Sequence, residues 1–83
     1  MAAARVLTMV ERRVSAIERD TFMQALDARR QLAHTVRANV WVFESADEPG
    51  RFIEFTEAAD VADVATVHQG TMPAPVWREV RGD

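Results

Sequence analysis

The 83 residues, 48% apolar and 28% charged, are expected to form a single domain over residues 1–83, small enough to lean on added support. The chain has no cysteine, which excludes disulfides, zinc–thiolate sites and thiol catalysis. Its two histidines, His34 and His68, are too few for a self-contained metal site, so no metal and no cofactor is expected. A net charge of -3 gives no reason to expect nucleic-acid binding, the apolar runs are too short to cross a membrane, and the opening "MAAARVLTMVERRV" lacks a signal peptide's apolar core, so a cytoplasmic protein is expected.

Residues 5–14, "RVLTMVERRV", read as a first strand, with Val6, Val10 and Val14 on one parity and Leu7 and Met9 on the other. Ser15 and Glu18 then fit a capping box, with Asp20 as a competing cap. From there to Val36 the pattern is helical: at 100° per residue Phe22, Ala25, Leu26, Leu32, Ala33 and Val36 form one stripe. Residues 38–57, "ANVWVFESADEPGRFIEFTE", read as two strands joined by a turn at Asp47, Glu48, Pro49 and Gly50. In "DVADVATVHQG", Asp60 can cap a second helix and Gly70 can end it. Val61, Val64, Ala65 and His68 share its face. After the loop "TMPAP", residues 76–80, "VWREV", read as a short fourth strand.

The order β-α-β-β-α-β predicts an α+β, ferredoxin-like fold: a four-stranded antiparallel sheet with both helices on one face. The second strand raises a difficulty for that fold. In "NVWVF", Asn39, Trp41 and Phe43 lie on one face and Val40 and Val42 on the other, so neither face is made for water. Two helices cover one face only, and each large apolar side chain left wet forfeits roughly 1.5–3 kcal/mol. A second copy on a two-fold axis is the simplest cover, which predicts a homodimer whose sheets close into an α/β barrel.

The hairpin "ANVWVFESADEPGRFIEFTE", after a helix containing "FMQALDARR" and before a short helix containing "VADVATVHQ", resembles the dimeric α/β-barrel superfamily, which includes antibiotic biosynthesis monooxygenase-like proteins. The resemblance spans nearly the whole chain and implies a homodimer, often with a small-molecule cavity between sheet and helices. Its members include cofactor-free oxygenases of aromatic polyketides, haem-degrading enzymes and proteins without known activity. The haem-degrading branch uses a strand-1 asparagine, a strand tryptophan and a second-helix histidine. This chain offers Trp41 and His68, but its one asparagine, Asn39, is on the second strand. The cofactor-free oxygenases use asparagine, tryptophan and tyrosine, and this chain has no tyrosine.

Arg29 lies near the middle of the first helix's apolar stripe, with Ala25 and Ala33 leaving room beside it. It either reaches into a cavity to hold an anionic or phenolate oxygen, or lays its stem on the sheet and pairs with Glu44, Glu54 or Glu57. His68, near the end of the second helix where carbonyls favour the imidazolium form, is the other catalytic candidate, against a reading as a partly buried structural histidine. Asn39 and Trp41, with Arg29, are the ligand-binding candidates, offering an amide and a flat ring to a planar ligand. Glu54 with Arg12 or Arg78 would make a polar network, but burial is costly for charges, so most strand charges are expected near the rims.

Function divides into two classes, with a purely structural dimerisation module as a third reading. One is a protein that binds a small apolar or aromatic ligand. The other is a cofactor-independent monooxygenase acting on an aromatic, phenolic substrate, with Arg29 holding the anion and His68 or Asn39 assisting proton removal. A cavity under the first helix lined by Trp41, Arg29 and His68 favours a ligand. Solid packing by Phe22, Leu26, Val61 and Val64 excludes one.

Overall fold

The computed structural model describes residues 4–80. In chain order the elements are β1 (Val6–Arg13), α1 (Arg19–Thr35), β2 (Asn39–Glu44), β3 (Arg51–Ala58), α2 (Val61–Val67) and β4 (Val76–Arg78). The strands form one antiparallel sheet in the order β2-β3-β1-β4. This is the expected ferredoxin-like arrangement, with the first and third strands central.

Local chemistry sets the boundaries. The Glu18 N–H donates to Ser15 Oγ at 3.3 Å and the Ser15 N–H donates to Glu18 Oε1 at 3.1 Å, which closes the capping box one turn ahead of α1. Asp20 falls inside the first turn and does not cap. At the other end Arg37 takes the left-handed conformation, φ 56°, and the Ala38 N–H reaches back to the Ala33 carbonyl at 2.9 Å. Asp60 caps α2 by accepting from the Asp63 N–H at 2.9 Å. Strand β4 is shorter than the sequence suggests, ending at Arg78 and not residue 80; only Val76, Trp77 and Arg78 find partners on β1. Pro75, just before it, has no N–H to extend the ladder.

The register assigns every strand residue to a face. Toward the helices point Val6, Thr8 and Val10 of β1, Phe52, Glu54, Thr56 and Ala58 of β3, and Val40 and Val42 of β2. Helix α1 packs on β2 and on α2, while α2 packs on β3 and β1. The core gathers Val6, Ala33, Ala38, Ala58, Val64 and Val67. Leu26 is buried further along α1, and the Phe22 and Phe52 rings meet at 4.8 Å. One expectation is corrected: Val61 is exposed and Val67 takes the inward place, because α2 is a short helix of about two turns whose buried side runs through Val64 and Val67.

On the opposite face the side chains fall into cross-strand rows. Trp41, Phe55 and Met9 form one, Phe43 and Ile53 a second with Glu11, and Asn39, Glu57, Leu7 and Trp77 a third. Phe43 and Phe55 stack edge to face at 5.9 Å. No helix covers these rows, and Phe43 remains 60% exposed and Trp41 46%.

Candidate functional site

Between the sheet and α1, the helix leans toward β2 and leaves the second half of β1 uncovered. There β1 presents Val10 and Arg12, on the parity of the core, and Val14 follows just past its end. A groove of about 620 Å³ follows, lined by Arg12, Val14, Ile17, Thr21, Phe22 and Ala25, with Glu11, Arg13 and Glu18 on its lips. It adjoins a second opening of about 290 Å³ lined by Val10, Arg12, His68, Thr71 and Pro73. A third, of about 190 Å³, is formed by Ala25, Ala28, Arg29, Val67, His68 and Gln69. Arg12, His68 and Ala25 are each shared by two of the three.

Behind these openings sits an ionic cluster. Glu54, in mid-β3, is 1% exposed. Arg29 Nε donates to Glu54 Oε2 at 2.7 Å and its Nη2 to Oε1 at 2.8 Å, a two-pronged pair, and Arg12 Nε donates to Oε1 at 2.9 Å. Burial pushes the Glu54 carboxyl up, but the hydrogen bonds and charges of Arg29 and Arg12 outweigh it and hold it below the ordinary carboxylate value. The expectation that strand charges keep to the rims is therefore corrected at this position. Two guanidinium groups meet both carboxylate oxygens, and that pairing makes the burial tolerable.

His68 lies beside the cluster, its Nε2 2.8 Å from the Thr56 hydroxyl, in a hydrogen bond whose direction follows the imidazole tautomer. Burial lowers its pKa. Glu54 opposes the shift and the two arginines reinforce it. The sequence reading that favoured imidazolium is thus corrected: desolvation, with two nearby guanidinium groups, outweighs the Glu54 charge and favours the neutral ring.

The candidates divide across the sheet. Arg29 and His68 come together on the helix side, where Arg29 spends its fork on Glu54, one of the three partners foreseen for it. Asn39 and Trp41 lie on the open face. Asn39 Nδ2 donates to Glu57 Oε1 at 2.8 Å, and Arg5 holds the same carboxylate. No cavity under α1 lined by Trp41, Arg29 and His68 exists among the described residues. Nor do Trp41 and His68, the two features similar to the haem-degrading branch, meet within the chain, since they lie on opposite faces of the sheet. His34 is exposed, as expected. Thr56 is a site residue the sequence reading did not single out, whereas the pairing of Glu54 with Arg12 was one of the two networks it named for that carboxylate. A signal for Arg12 was present, since it shares parity with Val10 and Val14.

No family model matches the sequence, and no curated protein matches it. A solved structure does: "Putative antibiotic biosynthesis monooxygenase from Nitrosomonas europaea" superposes with a TM-score of 0.65 at 18% identity, over 100% of this chain and 93% of that one. At that identity the likeness speaks for the fold. The chain shares with that structure the ferredoxin-like α+β fold that its hairpin and element order suggest.

Proposed function

We propose that the protein is a homodimer that binds a small apolar or aromatic ligand in the groove between β1 and α1. One observation carries the ligand reading. An open groove of about 620 Å³ combines the apolar side chains of Val14 and Phe22 with the Arg12 guanidinium, a mixture of apolar and polar groups suited to a small molecule. The dimer reading rests on the open face, where Trp41, Phe43, Met9 and Ile53 form a contiguous apolar patch larger than scattered surface residues require. A two-fold axis brings such a patch against itself. Titration with neutral 2-naphthamide, followed by amide NMR shifts, tests the ligand reading. Perturbations are expected at Val14, Ile17 and Phe22, and their absence with both this amide and the corresponding 2-naphthoate would count against the groove as a ligand site.

A second reading is a cofactor-independent monooxygenase acting on a phenolic substrate. The neutral His68 favours it, since an uncharged imidazole beside an opening is able to accept a phenol's proton. The name of the similar Nitrosomonas europaea protein points the same way. Oxygen uptake with 1,8-dihydroxynaphthalene in air, in wild type and His68→Gln, checks it. Uptake no faster than buffer in the wild type removes this reading and leaves the binding protein.

A further inference from the structure

We infer that the groove's ligand is a monoanion and that Arg12, rather than Arg29, receives its charge; this rests on the groove reading above and adds to it the ligand's chemical class. The charge count comes first. Around Glu54 stand two guanidinium groups and one carboxylate, with His68 neutral, so the cluster carries one positive charge in excess. The other charged groups on the groove's lips are engaged elsewhere. Glu11 pairs with Arg51 and Arg13 with Glu48 at 3.3 Å, while Glu18, held by the Ser15 N–H, keeps its negative charge on the lip. The positive excess is therefore local to the arginine pair around Glu54.

Donor geometry then chooses between the two arginines. A guanidinium has five N–H groups. Arg29 commits Nε and Nη2 to Glu54, and its side chain is only 14% exposed. Arg12 commits Nε alone, its side chain is 33% exposed, and it lines both the 620 Å³ groove and the 290 Å³ opening. Its terminal edge, Nη1 and Nη2, makes no hydrogen bond to another described residue. That edge matches the two oxygens of a planar carboxylate. A dianion is disfavoured, because its second charge would face the buried Glu54 carboxylate across a single guanidinium. The ligand class is accordingly an aromatic or apolar monocarboxylate, its body against Val14 and Phe22 and its charge on Arg12.

The test compares 2-naphthoate with the neutral isostere 2-naphthamide by calorimetric titration, with inorganic phosphate as competitor at pH 8, where phosphate is a dianion. In wild type, naphthoate is expected to bind at least about tenfold more tightly than the amide, the scale of a charge-assisted hydrogen-bonded pair. Phosphate is expected not to displace it. In Arg12→Gln the advantage is expected to vanish while amide binding persists. Arg12→Lys keeps the charge and loses the fork, so part of the advantage should remain. Circular dichroism establishes that each variant is folded. If the glutamine variant does not fold, the lysine variant decides: an undiminished tenfold preference there rejects the two-pronged contact. Equal binding of naphthoate and amide in wild type overturns the charge inference and leaves the groove reading intact. Failure of both to bind overturns the groove reading and this inference with it. Displacement by phosphate rejects the monoanion, and an unchanged preference in Arg12→Gln rejects Arg12.

Discussion

Glu54 is where a single residue carries most. It sits between Phe52 and Thr56 on the inner face of a central strand, a place that parity reserves for apolar groups, and it is tolerated because Arg29 and Arg12 hold both of its oxygens. Removing one member of such a cluster leaves the others buried and uncompensated. Glu54→Ala is expected to cost on the order of 3–5 kcal/mol, a large share of a small domain's stability. Urea unfolding of the double variant Glu54→Leu, Arg29→Leu should show a smaller loss than Glu54→Ala alone. An equal or greater loss would mean that the ionic pairing is not what stabilises this layer. Gly50 is the second such residue. Its φ is 86°, and a Cβ there would stand 2.4 Å from the Val14 carbonyl oxygen, which is backbone and cannot step aside. The same contact brings the Val14 N–H to the Gly50 carbonyl at 2.8 Å. Gly50→Ala is expected to cost about 1–3 kcal/mol, read as a drop in melting temperature. A neutral result would show that the hairpin shifts freely at this point.

At the scale of elements, short-range chemistry was legible and lengths were not. The capping box at Ser15 and Glu18, the cap at Asp60 and the turn before Gly50 all form where the sequence places them, because each is a hydrogen bond or a φ requirement within a few residues. Ser15→Ala removes an acceptor from the Glu18 N–H, and a loss of about 0.5–2 kcal/mol is expected by thermal denaturation. Hydrogen exchange should quicken chiefly in the first turn of α1; quickening spread evenly along the helix would assign Ser15 a wider role than capping. The second helix and last strand show the limit. Val61 and Val67 both suit a short amphipathic helix, and only the packing on β1 and β3 decides which turns inward. The fourth strand stops where β1 stops offering partners, which "VWREV" cannot announce.

For the whole molecule, protonation and assembly are the two handles. The lowered pKa of His68 means that the unfolded chain takes up a proton more readily than the folded one. Stability from this source is complete above the ordinary imidazole value of 6.5 and is lost as pH falls through the lower folded value. Glu54 and Glu57, both held low, add a further loss as pH falls below the ordinary carboxylate value of 4.5. Urea midpoints are therefore expected to decline in two stages on acidification, and His68→Gln should flatten the first. A midpoint in wild type that does not change between pH 7 and pH 5 would contradict the buried, neutral histidine. Assembly is tested on the open face: Phe43→Glu, at a residue 60% exposed in the single subunit, should convert a sedimenting dimer into monomers. Wild-type protein sedimenting as a monomer at micromolar concentration would remove the dimer and the barrel with it.

By itself the sequence determined the order of elements, the alternation that makes both sheet faces apolar, and the local caps and turns. These depend on periodicity and on contacts a few residues apart, so they can be read along the chain. It also placed Arg29 and His68 on inward faces. The tertiary structure alone decided that Asn39 and Trp41 are separated from them by the sheet, that Arg29's fork is filled by Glu54, and that Arg12 lines the groove. The reason is register. A shift of one residue between β1 and β3 turns every side chain to the other face, and long-range pairing, not local pattern, fixes which carboxylate meets which guanidinium.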